Sequence, residues 1–575
     1  MSVDPVRQLL SVRTPDGVTL ARLRLLANVD AVEGIDEVTV TDVQVGQDGA
    51  GAPQVVVDAA SSHWKRHSTV LHAAADALEI STTVQGAGWV STVRQLGART
   101  PGQGLLPSDL THRTLFSPSP DQPWRVFRRS EESAALGVVG DGGQPGMGRW
   151  LFTPPPLCFG LSPDETVPGS SPAGPWLMIG VAAARRPFSQ MTYEALTPGF
   201  SLRYDYDGHT SVAGEFTTPT LLVFLADDPY EGLTRYRELL DARGLLPHRV
   251  APAPSTAWLE PMFCGWGAQN ADAVASHVPK QAAAYSRQEN YDRYLRELER
   301  YGIRPGTVVI DDKWQQQYAT CEPDVTKWPD LAGWIAARHD VGQRVLLWYK
   351  AWDVEGAPPE ACVRDRGGRP ITIDPEAPAG RKLLRRAAQT MIRDLDADGI
   401  KIDFTASTPA GAFLDHAGSS WGIDLLHELL AVLYDAIKEI KPDSLVVTHT
   451  PDPGFGDVTD MLRLNDVLLL DQPGGATEPA ASAPGSAVVA AMTHRALVAR
   501  AACPDLPIDT DGWVLPSLAA YRSWTEAQTA LGVPSLYYVD RLDAAEPGER
   551  TISPALLQAT ANHWATYRRA MPQLL

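Results

Sequence analysis

The sequence predicts a multidomain α/β plus β protein, an N-terminal β-sandwich followed by a (β/α)8 TIM barrel. Three observations predict it. Up to residue 228, short β-branched runs alternate with Gly, Pro and Asp turns, and helical periodicity is rare. From residue 258 onward, continuous apolar runs alternate with amphipathic stretches, as buried parallel strands covered by helices require. The 575 residues exceed what a single core of ordinary size holds. The predicted division is a sandwich over 1–228, a helix and Pro-rich linker over 229–257, and a catalytic barrel over 258–575.

Taken in order, QVVVDAA, STTVQ, GWVSTVRQLG, GPWLMIGVAA and TPTLLVFLA read as sandwich strands. From Tyr230, YEGLTRYRELLDARGLLP carries apolar residues at helical spacing and stops on Gly-Leu-Leu-Pro. The prolines of PHRVAPAPSTAWLEP mark the linker. Eight barrel strands follow: PMFCGW, TVVIDD, RVLLWY, GIKIDF, SLVVTH, DMLRLND, LPIDTD and SLYYVD. The segments NYDRYLRELERYG, LAGWIAARHDVG, GRKLLRRAAQTMIRDLDADG, LLHELLAVLYDAIKEI and SAVVAAMTHRALVARAA read as the helices between them.

Composition excludes several function classes. The formal net charge is −19, which disfavours nucleic acid and anionic membranes as partners. No uninterrupted apolar stretch reaches the roughly 18 residues of a membrane span. The N-terminus, MSVDPVRQLLSVRTPDG, has no apolar core and does not read as a signal peptide. Cys158, Cys264, Cys321, Cys362 and Cys503 are odd in number, far apart and never C-x-x-C. A disulfide framework or structural zinc site is therefore not expected, and a cytoplasmic location is. No H-E-x-x-H or His cluster occurs, so no metal or other cofactor is expected.

The residues that carry chemistry stand at the predicted strand ends: Asp311 and Asp312, Trp348-Tyr349-Lys350, Asp403, His449, Asp466, Asp509 and Asp511, and Asp540. In a (β/α)8 barrel these ends converge on the face that holds the active site. Trp266, Trp314, Trp348, Trp352 and Trp513 lie nearby in sequence. Carboxylates supply a nucleophile and an acid/base, and flat rings supply stacking surfaces for a sugar, so the set points to glycoside chemistry. A lone strand-end Asp is ordinarily a helix cap, a lone Trp ordinarily core. The argument lies in acids terminating strand after strand. His449 reads equally well as a site residue or a satisfied core histidine.

CGWGAQ, VVIDDKWQ, VLLWYKAWD, DGIKIDF and LRLND occur in this order. Together they resemble the strand-end motifs of the clan that holds α-galactosidases and raffinose synthases, glycoside hydrolase family 36 and its relatives. The resemblance covers about residues 258–570. It implies that Asp403, in DGIKIDF, is the catalytic nucleophile and that Asp311 and Asp312 bind hydroxyls of the sugar. It also makes Lys401 a sugar-binding lysine. PIDTDGW and SLAAYRSWTEAQTALGVPSLYYVD resemble the seventh and eighth strands of the raffinose synthases. The sixth-strand motif departs from the family: Arg463-Leu-Asn-Asp466 carries one Asp, three residues after the Arg. Asp466 is the expected acid/base, with Asp471 in LLLDQPGG the alternative. The chain's last segment, ATYRRAMPQLL, reads as the final barrel helix, so the clan's C-terminal β-domain is not expected.

The expected reaction is retaining hydrolysis of an α-glycoside through a covalent glycosyl-aspartate, with an α-galactoside as the family's substrate. Asp403 attacks, and Asp466 acts as acid and then base, its pKa raised by burial and by the charge of Asp403. Trp266, Trp314, Trp348, Lys350, Lys401, Arg463, His449 and Asp511 complete the expected substrate-binding set. Three alternatives stand beside this reading. One is a raffinose-synthase-like transglycosylase. Another is a metal-dependent barrel enzyme with Asp311, Asp312, Asp403 and His449 as ligands. The third is a carbohydrate-binding pseudoenzyme, suggested by the altered sixth-strand motif. The expected partners are a carbohydrate substrate and, as in relatives of this build, further copies of the chain in a homo-oligomer.

Overall fold

The computed structural model describes residues 2–571 except 15–16, 121–123, 127–132, 139–151, 166–174, 197–198, 249–254, 468–484 and 546. Among the described residues, eighteen antiparallel strands form the N-terminal sheet structure, with strand 220–226 the last. Two of the sequence runs, STTVQ and GWVSTVRQLG, merge into one strand, Leu78–Gln95. It pairs with Gly199–Thr217 along most of its length, and the register shifts between Asp205 and Thr210. Alternating apolar residues on these strands, such as Ile80, Val84, Val90, Val93, Leu202 and Tyr204, are buried together. That alternation is what a sheet with one face in a core demands.

Helix α1 (Pro229–Ala242) follows. Asp228 caps it by accepting from the Tyr230 and Glu231 amides. Eight parallel strands then form the second sheet: β1 (Met262–Cys264), β2 (Thr307–Ile310), β3 (Arg344–Lys350), β4 (Gly399–Asp403), β5 (Leu445–Thr448), β6 (Met461–Arg463), β7 (Ile508–Asp509) and β8 (Ser535–Leu536). Their spatial order is β7-β6-β5-β4-β3-β2-β1-β8. A parallel bridge from Asp509 to Val533, just ahead of β8, brings the two edges together and nearly closes the ring. All eight predicted barrel strands are present in the predicted order.

The strands are shorter than their motifs. β4 stops at Asp403 and β6 at Arg463, so Phe404 and Asp466 lie on turns. The covering helices are α2 (Trp266–Ala275) and α3 (Gln288–Arg300) after β1, α4 (Leu331–His339) after β2, α5 (Pro378–Gln389) after β3 and α6 (Gly422–Ile440) after β4. α7 (Gly485–Ala502), α8 (Leu518–Leu531) and α9 (Pro554–Ala570) follow β6, β7 and β8. Between β5 and β6 there is only a three-residue 3-10 turn, Pro453–Phe455. α6 shows why a helix forms where it does: its Leu425, Leu426, Leu429, Leu430, Leu433 and Ile437 recur at helical spacing and are fully buried. Among the described residues no helix is long and apolar enough to cross a membrane. All five cysteines are buried free thiols.

Candidate active site

The C-terminal ends of the barrel strands bring most of the sequence-predicted residues into one ionic cluster. Arg463, at the end of β6, is its centre. Its guanidinium lies 2.8 Å from Asp511 Oδ2 through Nε, 3.1 Å from Asp466 Oδ1 through Nη2 and 3.1 Å from Asp403 Oδ2 through Nη1. The contact to Asp403 is an ion pair without hydrogen-bond alignment, since Nη1 has no aligned acceptor. Nη2 also donates to Asn465 Oδ1 at 2.6 Å. A planar fork with five donors is the side chain that can serve several carboxylates at once.

Asp403 is the most open of the three carboxylates on Arg463, 16% exposed against 6% for Asp466 and 0% for Asp511. Its Oδ1 accepts from the Phe404 amide at 2.9 Å, and its Oδ2 accepts from the Trp348 indole at 3.3 Å. Burial alone would raise its pKa. Arg463, His449 and Lys401 overcome that and hold the group well below the usual carboxylate range. Asp466 goes the other way. Burial raises it, the negative Asp511 and Asp403 add to that, and Arg463 opposes them without prevailing. The division follows from charge: one guanidinium cannot balance three buried carboxylates, so a proton settles on one of them. Asp511 stays ionised, because Arg463, Lys401 and the Gly512 and Trp513 amides outweigh its burial.

A second pair lies beside the first. Lys401 donates to Asp311 Oδ2 at 2.8 Å, and its Nζ is 3.4 Å from both Cys264 Sγ and the Tyr537 hydroxyl. Cys264 also donates to Asp311 Oδ2, and the Asp312 amide donates to Asp311 Oδ1. Both oxygens of Asp311 are thus occupied within the protein. Asp312 is only partly buried. It accepts from the Tyr318 hydroxyl at 2.9 Å, and its pKa is pushed up to about 6 by burial and by Asp311, against Tyr318, Lys350 and Lys313. Lys350 pairs with Asp353 at 2.8 Å and lies 4.3 Å from the Tyr318 ring and 5.3 Å from the Phe404 ring.

Three expectations need correction. Trp314 is fully buried and donates to the Trp348 carbonyl, so it belongs to the core and not to a sugar platform. His449 is also fully buried. Its Nε2 meets Thr405 Oγ1 at 2.5 Å, its Nδ1 lies 3.9 Å from Asp403 Oδ1, and burial lowers its pKa to about 4. It is neutral at physiological pH and lies in the interior beside Asp403. Asp540 stands beyond the end of β8, about half exposed and paired with Arg541, outside the ring. Trp266 remains half-buried, edge-on to Trp513 with ring centroids 5.6 Å apart. Asp471 lies outside the described residues. Sequence reasoning missed Cys264, Tyr537, Asn465, Thr405 and Tyr318; Cys264 and Tyr537 could have been found by reading strand ends for any polar side chain.

The backbone at these strand ends is unusual. Lys313, Trp352, Phe404, Asn465 and Asp511 all have left-handed φ, from +59° to +71°, and each stands within three residues of the end of β2, β3, β4, β6 or β7. Such turns re-aim the chain sharply as it leaves the barrel. The residues weighed as metal ligands are committed elsewhere, Asp311 to Lys401 and Asp403 to Arg463. Among the described residues no group of three or more His, Cys, Asp or Glu is arranged to hold a metal. A cleft of about 770 Å³ opens at the opposite end of the barrel, between α3, α4 and α9, and none of the residues named above lines it.

No family model matches the sequence, and no curated protein matches it. Solved structures do match. A family GH31 sulfoquinovosidase from E. rectale, in complex with an aza-sugar inhibitor, superposes with a TM-score of 0.61 at 9% identity, covering 100% of this chain and 84% of that one. The α-galactosidase TtGalA from Thermus thermophilus, in complex with stachyose, gives 0.53 at 15% identity over 90% and 99%. An uncharacterised protein from Listeria monocytogenes EGD-e, in complex with glucose, magnesium and calcium, gives 0.60 at 11% identity over 94% of this chain. The chain spans only 56% of that protein's length. At these identities the likeness is one of fold. It spans both a family 31 enzyme and an α-galactosidase, so it does not single out family 36. The fold this chain shares with these proteins is the TIM barrel with an accompanying sandwich domain found in glycoside hydrolases.

Proposed function

We propose that the protein is a retaining glycosidase that cleaves α-glycosidic bonds, with α-galactosides the first substrates to try. One observation carries the reading: a single buried guanidinium lies against three carboxyl groups, among which Asp403 is held well below the usual carboxylate range and Asp466 is pushed above it. A retaining glycosidase needs that pairing. In the first step an Asp403 oxygen bonds to the anomeric carbon, the glycosidic C–O bond breaks, and the Asp466 proton passes to the leaving oxygen. In the second, Asp466 takes a proton from water as the water oxygen attacks the same carbon, and Asp403 is released. The likeness in fold to an α-galactosidase and a sulfoquinovosidase supports this chemistry.

The direct test is a screen of aryl α-glycosides followed by NMR of the first-formed anomer. An α product is expected; a β product would replace the double displacement with a single inversion. Asp466→Asn sharpens the assignment. Substrates with poor leaving groups are expected to lose on the order of 10³-fold in kcat, whereas a dinitrophenyl glycoside, which needs little acid help, keeps most of its first step. Equal losses on both would remove Asp466 from the acid role.

The pH profile has a definite sign. Activity requires Asp466 protonated, so kcat/KM falls as pH rises through its elevated pKa. On the acid side, Asp312 must be ionised to accept hydrogen bonds from sugar hydroxyls. KM is expected to rise as pH drops through about 6, and Asp312→Asn should raise KM and flatten that limb. A wild-type KM constant from pH 5 to 7 would take Asp312 out of the binding set.

A further inference from the structure

We infer that Asp207, on the N-terminal sheet and far from Asp403 in sequence, is a positioning residue that anchors the loop leaving the nucleophile strand. The inference rests on the reading of Asp403 as nucleophile. The loop runs from Phe404 to Trp421, between β4 and α6. Its first residues hold the nucleophile and its neighbours: the Phe404 amide donates to Asp403, Thr405 Oγ1 meets His449 Nε2, and the Thr405 carbonyl accepts from the Trp352 indole at 3.3 Å. Its far part is held from the other domain. Asp207 Oδ2 accepts from the Gly411 amide at 3.0 Å, the Trp421 indole at 3.1 Å and the Ser189 hydroxyl at 2.6 Å.

The surroundings fit an anchor. Asp207 is itself left-handed, at φ +57°, within the register shift that interrupts the long strand pair. The irregularity turns its carboxylate, and His209 beyond it, out of the ladder and onto the barrel loop. His209 Nε2 meets the Gly411 carbonyl at 3.0 Å, and its ring stacks on Trp421 at 3.6 Å and 22°. Gly411 is thus gripped through both its N–H and its C=O. The same contact reaches the start of α6: Ile423 donates to the Phe188 carbonyl at 3.0 Å, and Gly422 has φ +56°. A Cβ at Gly422 would stand 2.1 Å from the Phe188 oxygen. Two side chains and one backbone carbonyl of the sheet domain therefore fix where the nucleophile's loop ends, and a loop fixed at both ends holds the groups it presents.

Asp207→Ala, Asp207→Asn and Trp421→Phe test this against wild type and Asp403→Asn, using the aryl α-glycoside that is cleaved and amide hydrogen exchange across 404–421. Asp207→Ala is expected to lower kcat about tenfold to a hundredfold with KM little changed, and to speed exchange at 405–411. Asp207→Asn keeps an acceptor oxygen in the same place and should restore both. Trp421→Phe deletes one donor while keeping a ring under His209, and should show a smaller change in the same direction; it carries the test if Asp207→Ala does not fold. Unchanged exchange in 405–411, or a folded Asp207→Ala with wild-type kcat, overturns the inference. If Asp403→Asn were as active as wild type, the nucleophile assignment would fall instead, and the exchange data would still report whether Asp207 holds the loop.

Discussion

Asp403→Asn is expected to reduce turnover of an aryl α-glycoside by on the order of 10³-fold or more while the protein remains folded. The substitution keeps the size of the side chain and an oxygen that can face Arg463 and the Trp348 indole, while its NH2 takes the place of the oxygen that accepts from the Phe404 amide. It removes the charge and the nucleophile. The residual rate should not recover with a better leaving group, because the first bond to the anomeric carbon cannot form. That separates it from Asp466→Asn, whose loss depends on the leaving group. Steady-state kinetics on two leaving groups, with circular dichroism to establish folding, decide the matter; near-wild-type turnover would sink the nucleophile assignment.

Arg463→Ala should be the most damaging single change to the site. It leaves Asp403, Asp466 and Asp511 facing one another in a buried space with no cation between them. Breaking one buried ion pair by removing a partner costs roughly 3–5 kcal/mol; two ionised carboxylates lose their partner here, and Asp466 loses a hydrogen bond. The pKa of Asp403 must also rise, because Arg463 is the strongest influence holding it down. Stability and activity therefore fall together. Arg463→Lys restores the charge but not the fork, so it should recover part of the stability and little of kcat. Chemical denaturation and kcat/KM on the three proteins test this. An Arg463→Ala variant as stable as wild type would mean that the carboxylates are not held as described.

The barrel was legible because each strand is short, apolar and followed by a polar terminus, and eight such segments in order fit only a few folds. GIKIDF and LRLND placed Asp403 and Asp466 among the strand-end acids by position, and the family resemblance supplied their expected roles. What stayed hidden was pairing. A strand-end residue shows which face it reaches but not which neighbour it meets, so the pairing of Lys401 with Asp311 was not visible in the sequence. Trp314 lies in a motif rich in site residues, yet its ring turns into the core. The missing helix between β5 and β6 leaves no periodic signal to read. The sheet domain's grip on the barrel joins Asp207 to Gly411 and Trp421, residues more than 200 positions apart, and no local pattern announces such a contact.

The left-handed residues that follow five of the barrel strands carry a further consequence. Each non-glycine residue in that conformation costs roughly 1–2 kcal/mol relative to an ordinary turn, which the rest of the fold must offset. The turns at the strand ends are thus set in advance, and a ligand bound there would have little ordering entropy left to supply. Phe404→Gly would relax that tension at an exposed side chain, and the resulting protein should melt no lower yet hold a ligand at these strand ends more loosely.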